Sequence, residues 1–337
     1  MSLTEERSTL EPVLAGPPPP AEVVRRQIVP VRDFGIVIFL VALVVALAAG
    51  SKSFRTLGNV ANMCNQMSWE GIATCGATLA IIAGGFDLSQ GAVYAICAIV
   101  AVMLAGHIGA FGAFGVALVV GLGLGAVNGG VIAYMRVNSF IATLATSYVI
   151  IGLATVVTGG NVETASSSVA GFMMMNNTYG GLTIAAWVFF AVVLLTGCLL
   201  GFSRFGRGLY AIGGNVEAAR LSGLSVPMYR IAVFGISGAC AAVAGIIGAS
   251  QTGSADPGTT VEQTLALTAI AATVVGGTSI MGGEGAIWRA VVGTIILELI
   301  NNGFVLLNWN PVYEDIVNGG LILLAVWVDQ VLRSRRT

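Results

Sequence analysis

The sequence predicts an all-α protein, a polytopic membrane helix bundle of about ten transmembrane helices. Three observations predict it. Of 337 residues, 56% are hydrophobic and only 9% are charged, where a soluble domain carries about 25% charged residues. The mean hydropathy is +0.90. Apolar runs near twenty residues recur along the chain, about the length that crosses a bilayer core. The 46 glycines fit the same class, because small residues let helices approach closely in lipid.

Taken in order, residues 1–32 hold Pro17–Pro20 and no apolar periodicity, so they predict a flexible cytoplasmic tail. A transmembrane domain is expected over 33–330, and a short cytoplasmic tail over 331–337. No cleavable signal peptide is evident before the first apolar run. Spans are expected at 34–50, 66–85, 91–106, 112–135, 137–158, 181–202, 229–250, 263–281, 286–307 and 312–329, with all nine prolines outside them. Between the first two, Phe54, Leu57, Ala61 and Cys64 recur at helical spacing. They predict either a short surface helix or an extension of the second span.

Arginine placement sets the expected orientation. With the N-terminus inside, every basic residue but Lys52 and Arg55 is cytoplasmic or at that border. The loop 159–180 has no basic residue and faces out, as do the acidic connections Asp256–Glu262 and Glu314–Asp315. Both termini are then cytoplasmic. The net charge of −1 says nothing of partners, and no feature calls for a nucleic acid.

The longest polar interruption after the tail is the loop 203–228, with Arg230 just beyond it. Arg204, Arg207, Arg220 and Arg230 stand there against one acid, Glu217. A miniature helix is written into it. Asn215 can cap its start, Glu217 places a negative charge in the first turn, and Gly223 can take the left-handed conformation that stops it. Pro227 blocks continuation into the next span. Such an element is either a docking surface or an ordinary loop.

Several chemistries are excluded. Cys64, Cys75, Cys97, Cys198 and Cys240 lie in or beside apolar spans without paired spacing, so no disulfide framework or metal site is expected. The lone His107, expected in a short loop, builds no triad and no ligand cluster. The phosphate-cradling GxxxxGK[ST] loop needs lysine after glycine, and the only lysine, Lys52, follows Ser51. The chain is not expected to be an enzyme or to carry a cofactor. If nucleotide hydrolysis drives it, another subunit performs it.

Two glycine-rich joints echo each other, AIIAGGFDLSQGAVYAI and ATVVGGTSIMGGEGAIW. Breaks near a membrane survive only where backbone is buried in protein or lines a wet cavity. Gly84–Gly91 and Gly276–Gly285 therefore read as tight turns, close to a pathway or simply closing helix hairpins.

Over about residues 57–329 the chain resembles the membrane permeases of bacterial ABC importers in the ribose/galactose/autoinducer group, the carbohydrate uptake transporters. The residues that carry the resemblance are GGFDLSQGAV at 84–93, GAVNGGVIAYMRVNSFIATLAT at 125–146, RFGRGLYAIGGNVEAARLSGL at 204–224 and VVGGTSIMGGEGAIW at 274–288. The third includes E-A-A-x-x-x-G as Glu217, Ala218, Ala219 and Gly223. The resemblance implies the ABC importer permease fold, in which Asn215, Glu217, Ala218, Ala219, Arg220, Leu221 and Gly223 form a coupling helix for an ATPase. Small Ala218 and Ala219 would let that helix sit deep in a groove. It also implies a solute-binding protein on the periplasmic or extracellular side, and a second permease copy or sister permease. Phe86 stands where the family usually carries an aliphatic residue, and Glu298 where a small or apolar one is more common.

Five polar residues within or beside spans are candidates for the route: Asp87, Asn128, Glu298, Asn301 and Asn302. Asp87 either lines the route or caps the following helix with Ser89. The asparagines either join helices or touch a sugar. Glu298, near the middle of its span, is expected to face the bundle interior, a partner helix or the pathway, either packing helices or accepting from substrate hydroxyls. Asn302 one turn later is placed to share a network with it. Met173–Met175 read as a docking patch or as a packed lid. The reading reached is a permease subunit that moves a small polar solute by alternating access, foremost a monosaccharide of the ribose type or a polyol. Its rival is a stand-alone secondary transporter, which predicts ionisable residues deep in several spans; of these, only Glu298 is clear.

Overall fold

The computed structural model describes residues 29–166, 169–258, 260–310 and 312–334. Helix α1 (Val29–Gly50) already begins inside the stretch expected to be tail. Pro30 stands in its first turn, where the missing N–H would have no helical partner anyway. The rest of that tail, 1–28, lies outside the described residues. At the other end α11 (Val312–Ser334) continues past the expected boundary at 330, so most of the C-terminal tail is helix. Glu314, expected in a connection, falls in the first turn of α11, where a carboxylate suits the helix dipole.

A single turn of 3-10 helix, Ser53–Arg55, leads into α2 (Leu57–Ile82). Thr56 caps it by accepting the Asn59 N–H at 3.2 Å. The stretch from Leu57 is thus an extension of the second span and not a separate surface helix. Helix α3 (Gln90–Tyr134) merges two expected spans into 45 residues broken at Gly109, whose φ is +75°. His107 lies in that helix, with Nδ1 3.2 Å from the Met103 carbonyl, and not in a loop.

Asn138 caps α4 (Ser139–Thr158), and Gly159 ends it in the left-handed conformation. Then follow α5 (Ile184–Phe202), α6 (Arg204–Gly214), α7 (Val216–Leu221), α8 (Val226–Thr252), α9 (Thr260–Val275) and α10 (Ile287–Leu306). Among the described residues five helices, α3, α4, α5, α8 and α10, are long and apolar enough to cross a membrane. Among the described residues the all-α expectation is modified by four two-residue strands. β1 (Glu163–Thr164) pairs antiparallel with β4 (Ser254–Ala255), and β2 (Thr178–Tyr179) with β3 (Leu182–Thr183).

The centre of the bundle is the packing of α3 on α8. Gly121, Gly125 and Gly129 repeat every four residues and so form one ridge of α3. A Cβ on Gly125 would stand 2.2 Å from the Phe234 carbonyl oxygen, and one on Gly238 2.2 Å from that of Gly121. Only glycine allows this backbone approach, which maximises dispersion contact where lipid offers no hydrophobic drive.

The connection between α4 and α5 is strapped to the end of α8. Ala165 N–H donates to the Gly253 carbonyl at 2.9 Å, and Asn176 Nδ2 to that of Gln251 at 3.0 Å. Met175 N–H donates to Ser250 Oγ, which in turn donates to the Phe172 carbonyl. Within the methionine trio Met175 is buried, Met174 is half-buried and Met173 is exposed. Met175 thus packs into the connection, and Met173 stands free of it.

Candidate coupling surface and route

The miniature helix forms as its caps predict. Asn215 Oδ1 accepts the Ala218 N–H at 2.9 Å. At its other end Gly223, at φ +87°, lets the Leu224 N–H reach the Ala219 carbonyl at 3.1 Å and its own N–H that of Arg220 at 3.0 Å. This is a left-handed helix stop that satisfies orphan carbonyls. Pro227 does not merely end α7; it sits in the first turn of α8.

The two alanines do not share a face. Ala219 is buried against Ile212 and Val226, while Ala218 is exposed. Ala219 therefore seats the helix on its own chain, and a partner would meet Glu217, Ala218, Arg220 and Leu221. Leu221 is 81% exposed, an apolar knob at the tip of a polar turn.

Sequence reasoning treated 204–214 as loop, yet it is α6. Gly206, Gly208, Gly213 and Gly214 weaken helix propensity, and tertiary contacts restore it. Leu209 and Ile212 are fully buried, and Phe205 stacks on Tyr229 at 5.2 Å between ring centroids. The end of α6 then enters a backbone junction. Gly213 lies so close that a Cβ there would stand 1.8 Å from the Ile82 carbonyl oxygen and 2.5 Å from Gly283 N. That same carbonyl accepts the Gly283 N–H at 2.9 Å. Tyr210 Oη donates to the Gly285 carbonyl at 2.7 Å. Burial raises the Tyr210 phenol above its usual pKa, with Arg289 nearby opposing the shift, so it is a neutral donor at physiological pH.

The glycine-rich joints are tight turns, and they meet here. One lies between α2 and α3, the other between α9 and α10. A Cβ on Gly282 would be 2.9 Å from Gly84 Cα. In the first joint Phe86 N–H donates to Ser139 Oγ and Leu88 N–H to Thr143 Oγ1, both at 3.0 Å. The start of α4 thus supplies the partners that a broken helix needs.

Asp87 is 1% exposed and makes the centre of a buried network. Its Oδ1 accepts from Ser89 N–H at 3.0 Å and from Ser89 Oγ, and its Oδ2 from Ser237 Oγ at 2.7 Å. Each hydroxyl gives its one proton to the carboxylate and then accepts in turn. Asn128 Nδ2 donates to Ser89 Oγ, and Gln90 Nε2 to Ser237 Oγ, both at 2.8 Å. The structure thus brings Asp87 and Asn128 together as a clamp between α3, α8 and the first joint. Gln90 went unremarked in the sequence because its partner Ser237 lies far along the chain.

Asn302 does not bond to Glu298. Its amide exchanges two hydrogen bonds with that of Asn59, both 3.0 Å, across α10 and α2. Asn301 is half-buried on the neighbouring face. Glu298 is 4% exposed, and its Oε1 has no hydrogen-bond partner among the described residues. Glu70, fourteenth of the 26 residues of α2, is a second central acid that the sequence reading passed over. Its signal was plain, a single carboxylate in the run WEGIATC.

Among the described residues no group of three or more His, Cys, Asp or Glu is placed to hold a metal ion. The five cysteines are unpaired thiols.

Known proteins bear on this geometry. A family model described as "Branched-chain amino acid transport system / permease component" matches residues 59–326. The ribose import permease protein of Escherichia coli K12 is 38% identical over 299 residues, covering 87% of this chain and 92% of that protein. The L-arabinose transport system permease protein of the same organism is 36% identical over 311 residues, covering 90% and 93%. The ribose import permease protein of Bacillus subtilis is 36% identical over 308 residues, covering 89% and 93%. No solved structure matches the chain.

Proposed function

This chain belongs to the family of branched-chain amino acid transport system permease components, and from that premise we propose that it is the membrane subunit of an ATP-driven sugar importer. The sugar reading rests on the relatives, whose names specify ribose and arabinose. Permease subunits of such importers are not themselves enzymes; they work with an ATPase and a solute-binding protein. Here the ATPase would dock on α7, the binding protein on the strapped α4–α5 connection, and a second copy would complete the pathway.

The observation that carries the proposal is the junction at Gly213. The end of α6 touches Ile82 at the end of α2 and Gly84 and Gly283 in the two glycine-rich joints, so the bracket α6–α7 is placed to pass motion of α7 to both joints. Alternating access follows if ATP-driven closure of the ATPases pulls this bracket. Asp87, Asn128 and Asn302 would hold helices together, leaving Glu298 as the acceptor for substrate hydroxyls.

The test is the complex with its ATPase and binding protein in liposomes. Arg220→Glu and Leu221→Asp should each lower solute-stimulated ATP hydrolysis roughly tenfold or more, the scale of an interface hot spot. Stimulation at the wild-type level in both would remove α7 from coupling. In the same liposomes Glu298→Gln should slow uptake several-fold (roughly) with the amount of complex unchanged. Equal uptake over a panel of sugars would remove Glu298 from the route. The acids Glu70, Glu298 and Glu314 are what favour the rival, ion-driven transporter. Uptake by the chain alone on a proton or sodium gradient, without ATP, would establish that rival.

Ten crossings with both termini cytoplasmic are part of the proposal. At 1.5 Å per residue α3 is about 67 Å long, twice a bilayer core of about 30 Å, and the break at Gly109 divides it into two legs. In a background without native cysteines, Tyr179→Cys should react with an impermeant thiol reagent from outside. Ser222→Cys should react only after the membrane is opened. Reversed labelling would invert the arrangement.

A further inference from the structure

A cavity of 390 Å³ opens where α2 ends, α4 begins and α8 starts, lined by Gly84, Arg136, Asn138, Ser139, Arg230 and Phe234 among others. No acid lines it. Among the described residues neither Arg136 nor Arg230 makes an ion pair. Arg136 holds a left-handed backbone, φ +53°, which any residue with a Cβ adopts at a cost. The turn between α3 and α4 keeps this guanidinium at the cavity in spite of that cost.

The electrostatics have one sign. The starts of α4 and α8 each contribute about half a positive charge, and the ends of α2 and α3 about half a negative one each. They cancel, and two full guanidinium charges remain. Guanidinium forks match phosphate oxygens better than any other side chain. Below the cavity, the α4 flank of Phe140, Ile141, Leu144 and Tyr148 is exposed and apolar. A ligand fitted to both features has a phosphate at one end and hydrocarbon at the other.

We infer that Arg136 and Arg230 bind the phosphate of an anionic phospholipid whose acyl chains lie along α4. The site touches Gly84 and Gly85 of the first joint, so its occupant would hold the α7 end of the bundle in place. It does not depend on which solute is carried.

The test uses the purified full-length chain in a neutral detergent, with thermal unfolding as readout. Dioleoyl phosphatidylglycerol should raise Tm saturably, since a ligand of the native state stabilises it by mass action, and dioleoyl phosphatidylcholine should not. With about fivefold in affinity per basic residue at a membrane surface, Arg136→Gln should shift the midpoint about fivefold. The double variant with Arg230→Gln should shift it about thirtyfold. Arg136→Lys, which keeps the charge and loses the fork, should restore part of the affinity lost in Arg136→Gln, and Arg207→Gln, outside the cavity, should leave the midpoint alone. The single variants keep the test open if the double variant does not fold. Inorganic phosphate that reproduces the shift with the same arginine dependence would support the site and make the free anion its ligand. Equal midpoints for wild type and Arg136→Gln, or equal stabilisation by phosphatidylcholine, would overturn it.

Discussion

Replacing Asp87 with leucine is expected to destabilise the protein by about 3–5 kcal/mol, the cost of removing one partner from a buried charged network. The carboxylate accepts three hydrogen bonds, and the two hydroxyls that donate to it, on Ser89 and Ser237, are themselves fully buried. Leucine would leave those donors without acceptors, and each such orphan costs about 1–3 kcal/mol. It would also loosen Asn128, whose amide donates to the Ser89 hydroxyl, more than Gln90, which the Ala73 carbonyl also holds at 3.1 Å. Asp87→Asn keeps one acceptor and the shape, and should cost about 1–2 kcal/mol. Thermal melting of the solubilised chain should show a Tm drop of roughly 10 °C for leucine and clearly less for asparagine. A leucine variant as stable as the wild type would mean that the network does not hold α3 to α8.

Gly213→Val is expected to abolish coupled transport while the helices still insert. A Cβ placed 1.8 Å from the Ile82 carbonyl oxygen meets backbone, not a flexible side chain that can swing away. Either α6 shifts off the junction or the bond from Gly283 N–H to Ile82 breaks. Overpacking of this kind costs about 1–3 kcal/mol or more, small beside insertion into the bilayer but enough to displace the short bracket α6–α7. Solute-stimulated ATP hydrolysis should fall at least tenfold, an effect of roughly 1.4 kcal/mol, with basal hydrolysis of the complex retained. Gly214→Ala is the control, because a Cβ there meets nothing within 4 Å. Full stimulation in the valine variant would show that motion does not pass through this contact.

What was legible in the sequence was what short-range chemistry decides. Asn215 and Gly223 mark the ends of α7 because a cap and a left-handed stop involve only neighbours. The apolar runs marked most of the long helices for the same reason, though two expected spans are one broken helix, α3. Helix α6 was illegible because four glycines argue against it locally, and only Leu209, Ile212 and Tyr229 argue for it, through packing. That Ala219 packs on its own chain and Ala218 does not was illegible, since a six-residue helix has too few positions to reveal its buried side. The link from Asp87 to Ser237 spans 150 residues, and that between Asn59 and Asn302 spans 243. No pattern within either segment announces its partner. Asn302 therefore looked like a neighbour of Glu298, which it is in sequence but not in bonding.

The strap between the α4–α5 connection and α8 has a consequence for biogenesis. Asn176 waits for Gln251, a residue synthesised 75 positions later, and β1 waits for β4. While α5, α6 and α7 leave the ribosome, the segment from Glu163 to Thr183 has no anchor for those hydrogen bonds. Closure of this end of the molecule is thus a late event in synthesis, set by the arrival of α8. A nascent chain stopped before Ser250 would present the segment open to proteases and chaperones, and the completed chain would not.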